Sequence, residues 1–396
     1  MGVVAPLTFR QARDLVLNMV RGNAAVEEVG LDSADGRVLA EDIAADRDTP
    51  ALARSVRDGF AVRAIDLPGT LDVIGEVRAG ERYSGAVGRG QAVEIMTGAP
   101  MPDGADAVVM VEHTKRDGNR VIIDRSAEPH QFINARGCEA AAGEVLLHSG
   151  ARLDYSAVAL LAAVGRPRVK VYIRPTVGII ATGDEIVEPH EVPEEFQIRN
   201  SNAWSLAAQV GRAGGIPQVL PIARDTLDHT RGIIEQGLAC DLLLLSGGVS
   251  AGKHDVVEPA MAALGAEFFF DRVLIQPGQP LVFGRARGKF FFGLPGNPAS
   301  TMVTFEIFAR AALERLGGEE SPMLPITAAR LTRDFRHRIG LTRFLPARLH
   351  GDATVTPIGW HGSGDVPSLA RANGYLVVDP DRAEYAAGEW IEVLPK

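Results

Sequence analysis

The chain has 396 residues, 46% of them hydrophobic and 23% charged, which is ordinary for a globular protein of roughly two to three domains. No apolar run reaches the roughly 18–20 residues of a membrane span, and the N-terminus lacks the pattern of a signal peptide, so we expect a cytoplasmic protein. A net charge of −9 argues against nonspecific binding to nucleic acid or to an acidic membrane surface. Two cysteines are too few for a disulfide framework or a cysteine-rich metal site.

The first predicted elements are helical. Residues 7–22 have the spacing of an amphipathic helix with Thr8 as its N-cap, and residues 24–45 predict a second short helix. A helical pattern returns later in the chain. We therefore expect residues 1–46 and 146–175 to form one discontinuous, mainly helical N-terminal domain.

The segment between these two parts, residues 47–145, has short apolar runs that alternate with Gly, Pro and Asp. This spacing predicts a small all-β domain, inserted into the helical one. Two of its loops carry polar side chains: Asp58 lies in an Asp-Gly turn, and Thr97 begins a loop rich in Gly and Pro. By spacing alone, the favoured interpretation of both is a hairpin loop.

From Thr176 onward, strand patterns alternate with helical patterns, which predicts a doubly wound α/β domain over residues 176–322. Residues 323–396 return to short strands and predict a small, barrel-like C-terminal β domain. The predicted fold is therefore multidomain, α/β plus β. Strands of the α/β domain are predicted near 177–181, 217–222, 241–245 and 289–293, and helices near 202–214, 228–238, 256–264 and 298–316.

The loop from Ser246 to Asp255 lies between a predicted buried strand and a predicted helix. A glycine-rich loop in this position aims backbone N–H groups and a helix N-terminus at an anion. Asp255 has the wrong charge for gripping a phosphate directly, but a carboxylate beside a phosphate site usually holds a divalent metal. The segment therefore suggests an enzyme that acts on a metal-bound, phosphate-containing ligand.

Three more loops follow predicted strands of this domain, and ligands of open parallel sheets bind at that edge. Each loop alone could be a turn or a helix cap, but their coincidence at one edge favours a site. The polar residues of the four loops are Thr182, Asp184, Glu185, Asp225, Ser246, Ser250, Asp255 and Ser300.

Seven short motifs follow one another along the chain. They are Ser-Val-Arg-Asp-Gly-Phe-Ala from Ser55, Ile-Met-Thr-Gly-Ala-Pro from Ile95, Ala-Thr-Gly-Asp-Glu from Ala181, Ser-Gly-Gly-Val-Ser-Ala-Gly from Ser246, Gly-Leu-Pro-Gly-Asn-Pro-Ala-Ser from Gly293, Gly-Ser-Gly-Asp from Gly362 and Ala-Arg-Ala-Asn-Gly from Ala370. With these motifs in this order, the chain resembles the molybdopterin molybdenumtransferases, the MoeA/gephyrin E-domain family, over nearly its whole length. The α/β domain alone also looks like a molybdopterin adenylyltransferase.

The resemblance implies a reaction in molybdenum cofactor biosynthesis. The enzyme would take adenylylated molybdopterin, cleave its phosphoanhydride, insert molybdenum from molybdate at the dithiolene and release AMP. The resemblance also implies Mg²⁺ as cofactor and an elongated homodimer. The active site would lie in a cleft between the α/β domain of one subunit and the inserted β domain of the other.

Matched position by position, the resemblance assigns roles to individual residues. Asp58, Thr97, Glu185, Asp225 and Asp255 would be catalytic, and the last three would also hold Mg²⁺ as hard oxygen ligands. The residues expected to bind substrate are Thr182, Gly183, Asp184, Ser246, Gly247, Gly248, Ser250, Gly252, Gln276, Gln279, Pro295, Gly296, Asn297, Ser300, Arg348 and Ser368.

The chain departs from the family where molybdate is expected to bind. The family often has lysines at the positions of Gln276 and Gln279, and usually an arginine at the position of Pro346. If the segment is a strand, residues 346 and 348 share a face, so Arg348 could partly replace the missing cation, with Arg343 less well placed. The hypothesis is that binding of adenylylated molybdopterin is retained while oxyanion capture is rebuilt or weakened.

Other functions stay open at this point. An adenylyltransferase would use ATP and release pyrophosphate, but it would not need the inserted β domain. A noncatalytic pterin-binding protein would be consistent with the absence of the family's two lysines and its arginine, although the acidic cluster argues against it. A tungstate-selective enzyme is also compatible with the sequence, and neither the recipient enzymes nor the need for a partner protein can be deduced.

Overall fold

A computed structural model describes residues 5–22, 25–248 and 256–396. The fold is multidomain, α/β plus β. None of the helices in these ranges is both long enough and apolar enough to span a bilayer.

The first helix, α1 (Phe9–Met19), begins with a capping box, which confirms Thr8 as the N-cap. The Thr8 hydroxyl accepts a hydrogen bond from the Gln11 N–H at 3.3 Å, and the Gln11 side chain accepts one from the Thr8 N–H at 2.9 Å. The buried side chains of α1 pack with the core of the α/β region, and α1 contacts its last helix.

The next element is a strand, where a short helix was predicted. Strand β1 (Val26–Gly30) is followed by a single turn of 3-10 helix at Leu31–Ser33, and then by β2 (Ile43–Ala44). The prediction was wrong for residues 26–30 because their hydrogen-bonding partner is far away in sequence: β1 pairs antiparallel with residues 168–172. Such tertiary pairing overrides a weak local preference for helix.

The all-β unit predicted in residues 47–145 is present. The elements after β2 are β3 (Arg54–Ser55), β4 (Gly59–Val62), β5 (Gly69–Val77), β6 (Gln91–Ile95), β7 (Ala107–Met110), β8 (Lys115–Asp117), β9 (Arg120–Ile123), β10 (Ile133–Asn134), β11 (Val145–Leu147), α2 (Tyr155–Ala163) and β12 (Arg168–Tyr172). The main sheet of the unit has the order β7-β4-β6-β5-β9-β8, and β2 pairs with β11 on either side of the unit. The boundaries of the four proposed domains stay a prediction.

The α/β region has helices packed on a six-stranded sheet. Its elements are β13 (Thr176–Ala181), β14 (Ile186–Val187), β15 (Ile198–Arg199), α3 (Asn202–Arg212), β16 (Ile216–Val219), α4 (Leu227–Gly237), β17 (Leu242–Ser246), α5 (Val257–Ala263), β18 (Glu267–Arg272), β19 (Ile275–Gln276), β20 (Pro280–Ala286), β21 (Lys289–Leu294), α6 (Pro298–Thr304), a π-helical turn (Phe305–Ala309) and α7 (Arg310–Leu316). The strand order in the sheet is β16-β13-β17-β21-β20-β18. The first four strands of this order are parallel, and β20 and β18 join antiparallel.

Strand β17 shows why this sheet forms. All five of its side chains are buried, as expected for a parallel strand covered by helices on both faces. Leu242 and Leu244 contribute to the core on one face of the sheet, and Leu243 and Leu245 to the core on the other. Parallel pairing of β17 with β13 and with β21 places the carboxyl ends of the three strands side by side at one edge.

The C-terminal region closes into the barrel that the short strands predicted. Its elements are β22 (Thr327–Leu331), β23 (Phe335–Arg336), β24 (Thr342–Leu349), β25 (Thr354–Pro357), α8 (Val366–Arg371), β26 (Gly374–Val378), β27 (Glu384–Tyr385) and β28 (Trp390–Pro395). The strands pair in the cycle β24-β25-β22-β28-β26-β24, and β19 of the α/β region adds to β24. The barrel is therefore joined directly to the α/β region by backbone hydrogen bonds.

Candidate active site

A cavity of about 500 Å³ opens at the carboxyl ends of the parallel strands, and we call it the sheet-edge cavity. It lies where the sequence predicted a site, and ten of the predicted residues line it. These are Thr182, Gly183, Glu185, Asp225, Ser246, Gly247, Gly248, Pro295, Gly296 and Asn297. The predicted residues Ser250, Gly252 and Asp255 lie outside the described part of the chain.

Two loops on the floor of this cavity are tied together by their backbones. The Thr182 N–H donates to the Ser246 carbonyl at 3.0 Å and so extends the pairing of β13 and β17. Gly247 adopts φ +97°, and a Cβ there would lie 2.8 Å from the Thr182 carbonyl oxygen. A side chain at residue 247 would therefore both strain the backbone and push the loops apart.

The acidic residues of the cavity come from two adjacent loops. The Asp184 N–H donates to the Asp225 carboxylate at 3.3 Å, and the Asp225 N–H donates to the Asp184 carboxylate at 3.2 Å. Arg224 donates to the carbonyl oxygens of Gly183, Asp184 and Ile186, which holds the first loop against the second. Glu185 and Asp225 line the cavity, whereas Asp184 is exposed beside it.

Mg²⁺ prefers oxygen ligands such as carboxylates, so the side chains of Glu185 and Asp225 are of the chemical type that binds this cation. Within the described residues, no group of three or more His, Cys, Asp or Glu side chains is arranged to hold a metal ion. The third predicted ligand, Asp255, is not among those residues.

Asn202, at the start of α3, is a residue of this site that the sequence analysis missed. Its Nδ2 donates to the Ser246 hydroxyl at 2.8 Å and to the Gly296 carbonyl at 2.7 Å, and its buried Oδ1 has no hydrogen-bond partner among the described residues. A carbonyl can only accept, so the Gly296 contact sets the orientation of the amide. Asn202 thus joins the loops that follow β17 and β21. The sequence feature that could have identified Asn202 is the pair of asparagines, Asn200 and Asn202, at the start of the first predicted helix after strand β13.

A second cavity, of about 590 Å³, lies between the α/β region and the barrel, and we call it the barrel-side cavity. It shares Pro280, Pro295 and Asn297 with the sheet-edge cavity, so the two spaces adjoin. Gln276, Gln279 and Ser300, all predicted to bind substrate, line it together with Arg338 and Arg343.

Arg343 and Arg348, the two arginines considered for the missing cation, lie toward opposite ends of β24. Parallel pairing with β19 places Arg343 beside Gln276, and Arg343 lines the barrel-side cavity. Arg348 is exposed near the other end of the strand, lines neither cavity, and donates to the Arg371 carbonyl at 3.3 Å. Residues 346 and 348 do share a face, but five residues of strand separate 348 from 343 by about 16 Å.

Ser368 also lies outside both cavities, on α8. It is buried, with its hydroxyl donating to the Asp365 carboxylate at 2.7 Å and accepting from Arg371 at 2.8 Å. The Asp365 side chain caps α8 by accepting from the Ser368 N–H at 3.0 Å. Hydrogen bonds from the Ser368 hydroxyl and from the His361 and Ser368 N–H groups lower the pKa of Asp365 to about 2.

Asp58 and Thr97 contact each other in the inserted β unit. Asp58 precedes β4, Thr97 follows β6, and these strands pair antiparallel. The hydrogen bonds from the Thr97 N–H and then from its hydroxyl lower the pKa of Asp58. Both side chains are exposed, and neither lines the sheet-edge or the barrel-side cavity of its own chain.

Three family models together match most of the chain. The MoeA N-terminal region (domain I and II) matches residues 7–165, the probable molybdopterin binding domain residues 178–315, and the MoeA C-terminal region (domain IV) residues 328–396.

Individual proteins match over nearly their whole length. The molybdopterin molybdenumtransferase of Bacillus subtilis (strain 168) is 37% identical over 383 residues, which are 93% of this chain and 89% of that protein. The protein of the same name from Staphylococcus aureus (strain N315) is 32% identical over 400 residues, with coverages of 98% and 95%. The molybdopterin biosynthesis moeA protein of Pyrococcus horikoshii OT3 superposes with a TM-score of 0.83 at 31% identity, over 99% of this chain and 100% of that one. This chain therefore belongs to the MoeA family.

Proposed function

We propose that the chain is a molybdopterin molybdenumtransferase, which inserts molybdenum from molybdate into adenylylated molybdopterin and releases AMP. The observation that carries this proposal is the joining of two cavities of different chemistry. The sheet-edge cavity has glycine loops and carboxylates, whereas the barrel-side cavity has arginines and amides. The relatives from Bacillus subtilis and Staphylococcus aureus, both named molybdopterin molybdenumtransferase, support it.

The sheet-edge cavity is the proposed site of the adenylylated pterin. Backbone groups of the loops at residues 246–248 and 295–297 line a space large enough for a nucleotide-sized ligand. Asn202 keeps these two loops at a constant separation. The ligand would therefore contact backbone atoms that are already in place before it binds. Such preorganisation lowers the entropic cost of association.

Glu185 and Asp225, with Asp255, are the residues that would hold Mg²⁺. When bound, the cation would neutralise charge on the phosphoanhydride and on the leaving AMP. Glu185→Gln should raise the Mg²⁺ concentration needed for half-maximal AMP release. Glu195→Gln, at an exposed residue outside the cavity, is the matched control.

The proposed enzyme is a homodimer in which the inserted β unit of one subunit completes the site of the other. Support comes from the exposed Asp58–Thr97 pair, which does not reach either cavity of its own chain. A cyclic dimer would bring this pair of each subunit to the sheet-edge cavity of its partner.

The deciding experiment measures AMP release from adenylylated molybdopterin with Mg²⁺, with and without molybdate, and then the metal retained on the pterin. The proposal expects molybdate-dependent AMP release and a molybdenum-loaded product. Release of pyrophosphate from ATP and molybdopterin, without molybdenum insertion, would indicate an adenylyltransferase instead. Tight binding without turnover at any molybdate or tungstate concentration would indicate a noncatalytic binding protein.

A further inference from the structure

The barrel-side cavity is positively charged. Arg338 and Arg343 line it, and no carboxylate is among its described lining residues. Across the described part of the chain, neither arginine forms an ion pair with an acid. Two uncompensated guanidinium groups on one wall repel each other, and an anion between them would relieve that repulsion.

The arrangement of Arg343 orients its guanidinium. Its Nε donates to the Arg338 carbonyl at 3.0 Å, and among the described residues no protein acceptor is bonded to its two Nη groups. Burial, followed by the charge of Arg338, lowers the pKa of Arg343. The side chain is half-buried, so both effects act on a group that is only partly solvated.

Gln276 provides the second part of the argument. It is paired with Arg343 across the junction of β19 and β24, and residues paired in this way extend their side chains to the same face. An amide beside a guanidinium adds a neutral donor without adding a second positive charge. A lysine at residue 276 would instead place an ammonium group next to Arg343.

We infer that Arg338 and Arg343 supply the positive charge that captures molybdate in the barrel-side cavity, while Gln276 and Gln279 contribute neutral hydrogen bonds. The inference rests on the proposed function for the identity of the oxyanion. The cations thus come from the barrel side of the cavity, and residues 276 and 279 need not be charged. The shared wall at Pro295 and Asn297 places the captured oxyanion beside the pterin site.

The test is equilibrium dialysis of the purified full chain against molybdate. Arg338→Gln and Arg343→Gln should each weaken molybdate binding on the order of tenfold, because each removes one charge-assisted hydrogen bond. Arg343→Lys should restore part of the affinity, and added sodium chloride should weaken binding to the unmodified chain more than to the double variant. Arg336→Gln is the matched control, since Arg336 is exposed, lines neither cavity, and has a surface ion pair with Glu384.

Two controls keep the result interpretable. Arg338→Gln keeps the backbone carbonyl to which Arg343 donates. This variant therefore tests the effect of charge even if Arg343→Gln disturbs the loop. Binding of adenylylated molybdopterin, measured separately, should be unchanged in both variants.

The inference is overturned if both variants bind molybdate as tightly as the unmodified chain, or if only Arg348→Gln weakens binding. In either case AMP release by the unmodified chain would still support the proposed function. If the unmodified chain binds neither molybdate nor adenylylated molybdopterin, the proposed function fails and the inference fails with it.

Discussion

Thr97 donates two hydrogen bonds to one carboxylate oxygen of Asp58, from its N–H at 2.6 Å and from its hydroxyl at 2.8 Å. The pair joins the start of one strand to the end of its neighbour at the exposed edge of the inserted β unit. Both bonds favour the ionised carboxylate, and this accounts for the lowered pKa of Asp58. Asp58 is therefore held as an anion in a constant orientation.

Thr97→Val should raise the pKa of Asp58 part of the way to its ordinary value. The N–H bond, which is the larger cause of the shift, remains in this variant. Because the folded-state pKa is depressed, the contribution of Asp58 to stability is present above the ordinary aspartate pKa of about 3.9 and lost as the pH falls through the lower value. NMR titration of the Asp58 carboxyl checks this. Thr114→Val, which removes a hydroxyl bonded to a carbonyl in the same unit, should leave the titration unchanged.

Asp58→Asn and Glu185→Gln should complement each other if the active site lies between subunits. In a mixed dimer one site carries both changes and the other carries neither. Co-production with two different tags should restore about a quarter of the unmodified activity, because half of the dimers are mixed and each keeps one unchanged site. AMP release is the measurement. Two inactive variants that stay inactive when mixed would place the whole site within one chain.

Asn202→Asp should weaken binding of adenylylated molybdopterin roughly tenfold, because the hydrogen bond to the Gly296 carbonyl is lost, whereas the Ser246 hydroxyl can still donate to the new carboxylate. The new carboxylate would also face the Gly296 carbonyl, which can only accept. Calorimetric titration of the ligand measures the effect. Asn119→Asp, in an exposed turn of the inserted unit, makes the same chemical change away from the site and should bind normally. Equal affinity in both variants would mean that Asn202 does not set the loop separation.

Ser368→Ala should raise the pKa of Asp365 from about 2 toward its ordinary value near 3.8, because the Ser368 hydroxyl is the largest cause of the shift. The stabilisation that comes from this depressed pKa is complete above about pH 4 and lost as the pH falls toward 2. Acid unfolding should therefore begin at a higher pH in the variant, as measured by circular dichroism. If Ser368→Ala instead weakened molybdate binding and left the Asp365 titration unchanged, the serine would serve the oxyanion site rather than the helix cap.

Local sequence patterns were sufficient to predict several elements of the fold and the location of the sheet-edge cavity. The unbroken apolar run at residues 242–245 predicted a buried strand, because apolar side chains on both faces of a strand need cover on both sides. Thr8 predicted a helix start because an N-cap depends on a residue directly beside the helix that it begins. Glycine loops after successive strands predicted the sheet-edge cavity, because parallel strands end at a common edge.

What the sequence by itself determined is the type of most regions, the strands and helices of the α/β region and the edge at which the polar loops meet. Only the tertiary structure decided that Arg343 and not Arg348 reaches the barrel-side cavity, that residues 26–30 form a strand, and that Asn202 joins two loops. The physical reason is the same in each case. Periodicity reports which face a side chain occupies, whereas pairing between segments far apart in sequence sets its position along that face and its neighbours.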